Sequence, residues 1–174
     1  ILTAAIVVAS VVTPGHAEDA NAGFVADFVA DFERTGGRLA DLAGATPADK
    51  FSWAPTEEVR TISEVYVHVM FTKTFIPMAL GATPPEGLDM PEGTNPMELM
   101  KKWEATITDK DDVIKKLDES FAYAAKAVPT ITDLETIVET FGFPGTKRAY
   151  LLILLTHAHE HLGQSIAYAR SVGV

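Results

Sequence analysis

Three of the chain's five histidines fall within five residues, in the run Thr156-His157-Ala158-His159-Glu160-His161-Leu162-Gly163-Gln164. A helix turns about 100° per residue, so His157 and His161 project from one face a turn apart, while His159 points nearly the opposite way. An i, i+4 pair is a common way for one helix to offer two imidazoles to a metal ion. The plain alternative is two ordinary polar residues at the edge of a helix's core face. Outside this run, His68 is the one histidine that lies on an amphipathic helical stretch. Three imidazoles with a vacant fourth position are the arrangement of a catalytic zinc site. The expected metal ligands are therefore His68, His157 and His161. Imidazole suits zinc, nickel, copper and iron alike, and a divalent ion, zinc or nickel, is the expected cofactor.

The neighbouring polar residues take lesser parts. His159 is expected to face solvent or a partner chain, and Glu160 to lie on the surface or support a ligand from behind. Glu64 is expected first as a capping-box partner, then as an acceptor for the second N–H of His68, since a ligating imidazole usually donates its other N–H to such a group. The two tryptophans and the phenylalanines read most simply as core.

Composition narrows the chemistry further. The chain has 174 residues, enough for one domain with a real core, and 47% of them are hydrophobic. A net charge of −10 argues against nucleic acid and against anionic lipid as partners. Cysteine is absent, which excludes disulfides, a thiolate nucleophile and Cys-type zinc sites. Any metal must be held by imidazole and carboxylate, and any thiol must come from a substrate. No Gly-x-Ser-x-Gly elbow, phosphate loop or dinucleotide fingerprint occurs, and the Glu-x-x-His pairs of di-iron bundles are missing.

Helices must position these groups. Asn21 can cap a first helix whose stripe runs Phe24, Val25, Phe28, Val29, Phe32, Leu39 and Leu42, with Gly36-Gly37 marking a close approach or a kink. Phe51-Ser-Trp53-Ala-Pro55 reads as an extended connector. Thr61-Ile-Ser-Glu64 is a capping box opening a second helix to about Leu80. Gly81 to Pro96, rich in proline and glycine, reads as irregular, and Pro96 starts a short helix through Trp103. Thr108 to Asp111 caps a third long helix, which Pro129 stops. Asp133 to Thr140 reads as a further short helical piece. Phe141 to Gly145 breaks the chain, and Thr146 caps the last helix. No stretch alternates convincingly like a strand. The expected fold is all-α, with four long helices and two short ones, and a four-helix bundle buries such stripes economically.

The first twelve residues, Ile1 to Val12, are too short an apolar run to span a membrane, which takes about 20. Followed by Thr13-Pro14-Gly15-His16-Ala17 and an acidic Glu18-Asp19, they read as a secretory signal over residues 1–17 whose start is truncated. A buried strand or an uncleaved anchor is the alternative. The expectation is an exported domain from Glu18 to the end, with no stable membrane association after cleavage and with His16 outside the chemistry.

Three motifs in order then resemble a known family. Phe51-x-Trp53-x-Pro55, Thr61-Ile-Ser-Glu-Val-Tyr-Val-His68, and His157-x-x-x-His161-x-Gly163-Gln164 with Tyr168-x-Arg170-x-x-Gly173 behind it look like the DinB-like (DinB/YfiT) metalloenzyme family. The resemblance implies a four-helix bundle of up-up-down-down topology with a divalent metal at its centre. It places the family's three-histidine site on His68, His157 and His161, and gives Gln164 a structural or supporting role. Relatives often carry a basic residue or histidine beside the last ligand, where this chain has Glu160 and Leu162. Characterised relatives include transferases and isomerases that use low-molecular-weight thiols. The expected function is thus a metal-dependent enzyme that activates a thiol or water for transferase-like or hydrolase-like chemistry on a small molecule. An exported metal-binding or stress-related helical protein without catalysis is the alternative. Whether two chains pair as a homodimer is left open.

Overall fold

A computed structural model describes residues 14–88, 90 and 93–174, with side chains from residue 21 onward. The expected leader lies outside the described residues as far as residue 13. Among the described residues there are five α-helices and one hairpin, with short 3-10 turns between them: α1 (Pro14–Ala45), α2 (Ile62–Ala79), α3 (Pro96–Thr106), α4 (Lys110–Ala127), β1 (Ile137–Thr140), β2 (Phe143–Thr146) and α5 (Lys147–Ser171). Helix α1 starts before Asn21, which is therefore no cap; its side-chain carbonyl instead accepts from the Arg148 guanidinium on α5.

The other caps follow the sequence closely. The Thr61 hydroxyl accepts from the Glu64 N–H, and the Glu64 carboxylate accepts from the Thr61 N–H at 2.7 Å, closing the capping box. Asn95, Asp109 and Thr146 cap α3, α4 and α5 by accepting from first-turn N–H groups, without the reciprocal bond. The connector before α2 is pinned to its first turn, because Ile62 and Ser63 donate their N–H groups to the carbonyls of Trp53 and Phe51.

Apolar burial selects the packing. Phe28, Phe32, Leu39 and Ala43 of α1 meet Val113, Leu117, Phe121 and Ala124 of α4, and Leu151, Leu154, Ala158 and Leu162 of α5, in one core. Helix α2 is buried on nearly every side and serves as the central element. Contact positions give the directions. Phe32 meets Phe121, and Lys110 reaches the Gly44 carbonyl, so α1 and α4 are antiparallel. Asn21 meets Arg148 and Asp31 meets His159, so α1 and α5 run the same way. His68 meets His157 and Lys73 meets Leu154, so α2 opposes α5. The long helices thus read up, down, down, up. This corrects the up-up-down-down order; the connection over residues 46–61 reverses the chain instead of carrying it back along the first helix.

The chain is mostly helical, as expected, with one small sheet, and the short helical piece expected over Asp133 to Thr140 is corrected. Ile137 to Thr140 pairs antiparallel with Phe143 to Thr146, with Thr140 opposite Phe143. The two-residue turn has Phe141 at φ 55° and Gly142 at φ 79°, the left-handed pair that a tight hairpin demands. Three β-branched residues, Ile137, Val138 and Thr140, favour the strand. Tyr150 ties the hairpin to α5 by donating its hydroxyl to the Thr140 carbonyl at 2.9 Å.

One glycine of the Gly36-Gly37 pair is there for a close approach. A Cβ on Gly36 would lie 2.6 Å from the Phe121 ring, whereas one on Gly37 would meet nothing within 4 Å. Two adjacent substitutions should therefore change thermal stability in opposite directions. Gly36→Ala is expected to destabilise by about 1–3 kcal/mol through overpacking. Gly37→Ala should stabilise by up to about 1 kcal/mol through helix propensity. Denaturant unfolding of the two variants measures both.

Candidate metal centre

Helix α2 carries His68 and the antiparallel α5 carries His157 and His161, all three half-buried. The His68 Nε2 lies 3.0 Å from the His157 Nε2, and the His161 Nε2 lies 3.1 Å from the same atom. The structure thus brings together the three histidines expected from spacing.

The outer ring nitrogens explain why the Nε2 atoms turn inward. The Thr72 hydroxyl donates to the Val69 carbonyl at 2.8 Å, so toward the His157 Nδ1 at 3.3 Å it is an acceptor. The His161 Nδ1 lies 2.7 Å from the Gln164 Oε1, and the Gln164 amide donates to the Tyr168 hydroxyl at 3.0 Å. The Trp53 ring packs edge-on against Tyr168 with centroids 5.4 Å apart. The connector motif thereby reaches the site through Tyr168, Gln164 and His161. The His68 Nδ1 has the Met100 sulfur at 3.1 Å and a Glu104 carboxylate oxygen at 3.6 Å. That oxygen accepts from the Arg60 Nε at 2.7 Å. With both outer N–H groups of His157 and His161 on acceptors, each inward Nε2 presents a lone pair.

Burial keeps the rings neutral. Desolvation, followed by the charge of Arg60, pushes His68 down to about 3. Desolvation, followed by the charge of Lys73, pushes His157 down to about 2. His161 is also lowered, chiefly by burial. At 3.6 Å the contact between His68 and Glu104 is therefore no ion pair, because the imidazole carries no charge. Three neutral imidazoles thus bring one nitrogen each to within 4.8 Å of one another, and the donor set fits a divalent cation.

The remaining expectations sort by geometry. His159 lies away from the cluster, with its Nε2 at 2.7 Å from the Asp31 carboxylate and 3.2 Å from the Thr35 hydroxyl. Glu160 is exposed, and its charge raises His161 slightly against the larger effect of burial. Glu64 serves the helix cap, and Glu104 of α3 stands behind His68 in its place. The sequence reading did not single out Met100, Glu104 or Arg60. The available signal is that Met100, Trp103 and Glu104 share one face of a short helix whose apolar members must turn inward.

Lys73 is fully buried five residues beyond His68, and its Nζ donates to the Leu154 carbonyl at 2.7 Å. Burial lowers it from 10.5 to about 7. Among the described residues no carboxylate forms an ion pair with it, and the Phe32 and Phe121 ring centres lie 5.5 and 6.0 Å away.

A family profile described as the DinB superfamily matches residues 31–165. Among solved structures, a DinB-like protein from Bacillus cereus is 17% identical, with a TM-score of 0.65, over 84% of this chain and 91% of that one. A DinB-like protein from Bacillus subtilis is 18% identical, with a TM-score of 0.63, over 85% and 92%. A conserved protein from Enterococcus faecalis is 14% identical, with a TM-score of 0.60, over 82% and 93%. At these identities the likeness is one of fold. No curated protein matches the sequence.

The lowered values fix two pH dependences. For metal-free protein, His68 and His157 take up protons below about 6.5 when unfolded but only near 3 and 2 when folded. Stability should therefore fall as pH drops below 6.5, by up to about 1.4 kcal/mol per pH unit for each histidine. A His68→Phe, His157→Leu double variant should show a flatter acid limb in urea titrations. Lys73 has the opposite window. Its burial costs most below pH 7, and the cost disappears as pH rises toward 10.5. Lys73→Met should thus stabilise by about 1–4 kcal/mol near neutrality, with the advantage shrinking at alkaline pH in the same measurement.

Proposed function

The chain belongs to the DinB superfamily, and from that premise we propose that His68, His157 and His161 hold a divalent metal ion serving a small-molecule enzyme. The observation that carries this reading is the convergence of three neutral Nε2 atoms at 3.0 and 3.1 Å. Among the described residues no fourth histidine or carboxylate joins the three, so the fourth position falls to an outside ligand. When bound, the ion lowers the pKa of a thiol or water toward neutrality and so supplies a nucleophile. Absence of cysteine places any thiol on the substrate. Zinc and nickel are the ions we favour for three imidazoles.

The protein's own groups have defined work in this reading. Thr72 and Gln164 fix the tautomers and planes of His157 and His161. Glu104, held by Arg60, places a negative charge behind His68, where it offsets added positive charge and strengthens the ligand field. Arg60 and Lys73 add positive potential around the cluster, which favours an anionic outside ligand over a neutral one. We read the four long helices as a four-helix bundle, a scaffold that builds such centres from facing helices. The facing of α2 and α5 at the cluster supports that reading.

Metal analysis of protein purified without a histidine tag tests the proposal. Wild type and His159→Ala are expected to carry about one equivalent of zinc or nickel, and His68→Ala or His161→Ala to carry almost none. Gln164→Ala and Glu104→Ala should weaken zinc binding about 10- to 100-fold in competition with a chelating dye. A folded wild type that takes up no metal from either salt sinks the proposal.

A further inference from the structure

We propose that the chain has a second ligand site, independent of the metal centre, for a small uncharged aromatic molecule carrying a hydroxyl or N–H donor. The site is a half-open cavity of about 460 Å³ bounded by α2, α3, α4 and the segment from Pro85 to Leu88. That volume falls in the range of small-molecule sites. None of the three clustered histidines lines it. On α2 it is lined by Met70 and Thr74, which lie about 120–160° round the helix from His68.

The walls are held in place by contacts of their own. Trp103 of α3 packs edge-on against Phe71 with centroids 5.5 Å apart. Tyr123 of α4 donates its hydroxyl to the Thr83 carbonyl at 2.9 Å, which ties the segment after α2 to α4. Within that segment the Leu88 N–H donates to the Pro85 carbonyl at 3.2 Å. Gly87 stands at φ 78° between them, a conformation that glycine adopts freely. The turn is thus a folded part of the cavity wall.

Two buried hydroxyls among the lining residues decide the ligand's chemistry. Thr74 is 8% exposed and Ser120 5%. The Thr74 hydroxyl donates to the Met70 carbonyl at 3.0 Å, and that of Ser120 to the Leu117 carbonyl at 2.7 Å. A hydroxyl has one hydrogen, so any further bond to either oxygen must be accepted. A ligand that pairs with them must therefore bring the donor. Met70, Trp103 and Tyr123 offer aromatic and thioether surface suited to a flat ring. The lining cations, Lys102 and Lys116, are matched by Glu86 and Glu119, which gives no preference for an anion or a cation.

Calorimetric titration with 2-naphthol and with 2-methoxynaphthalene tests this, because methylation removes only the donor. 2-Naphthol is expected to bind about three- to tenfold tighter, the worth of one hydrogen bond. A Thr74→Val, Ser120→Ala double variant removes both acceptors and orphans no donor. It should erase the preference and leave 2-methoxynaphthalene within about twofold of wild type. Trp103→Ala, at a half-buried position, should fold and cut affinity for both probes at least about tenfold through lost ring contact. Adding zinc or a chelator should leave the wild-type values unchanged. Absence of 2-naphthol binding means that the cavity holds only water, and overturns the proposal. Equal affinity of the wild type for the two probes overturns it as well, whether or not the variants fold. So does a preference that survives in the double variant, or binding that Trp103→Ala leaves intact. Binding that disappears on chelation places the probe at the histidines and also overturns it.

Discussion

Three ring nitrogens gathered at the seam of two helices, with that of His157 at 3.0 and 3.1 Å from the other two, set the terms for the rest of this structure. Facing lone pairs of His157 and His161 repel unless a proton or a cation stands between them. The fold holds the rings there by pinning each from outside. Thr72, Gln164 and the Met100–Glu104 pair do so directly. Behind them stand Tyr168, Trp53 and Arg60, drawn from the connector, the end of α5 and the approach to α2. Polar groups from three helices and a loop are thus committed to orienting these rings, as in a preorganised binding site.

The electrostatic setting adds a second layer. The chain as a whole carries −10, yet after burial, the largest cause, the groups lowering the pKa values of His68 and His157 include the cations Arg60 and Lys73 beside the neighbouring imidazoles. Their positive potential acts locally against a bare metal ion and in favour of an ion that carries an anionic ligand. Glu104 partly compensates next to His68, where it lies 3.6 Å from the ring. Which charges stand near the cluster is thus a matter of packing, and composition alone cannot report it.

Sequence and structure agree where a local rule governs. The Thr61–Glu64 box, the Thr146 cap and the breaks at Gly81 and Pro129 each depend on backbone groups within a few residues, and each is readable. The pairing of His157 with His161 is readable for the same reason, since one helix fixes it. The approach of His68 is less so, because it depends on α2 and α5 being antiparallel neighbours. The hairpin escaped because its turn is Phe141-Gly142 in place of the usual Asn-Gly, and its strands are only four residues each. Helix direction escaped because amphipathic stripes specify that a face is buried and leave open against what. Glu104 and Arg60 escaped because on a surface-like short helix and a loop they resemble any other charged residues.

Tyr150 joins the hairpin to α5 through the Thr140 carbonyl. Helix α5 carries His157 and His161, while α2 carries His68. The three imidazoles are therefore divided between two elements with no covalent link close to the cluster. Any substitution that alters the spacing or tilt of α2 against α5 changes the distance from His68 to both of its companions, however far from the histidines it lies.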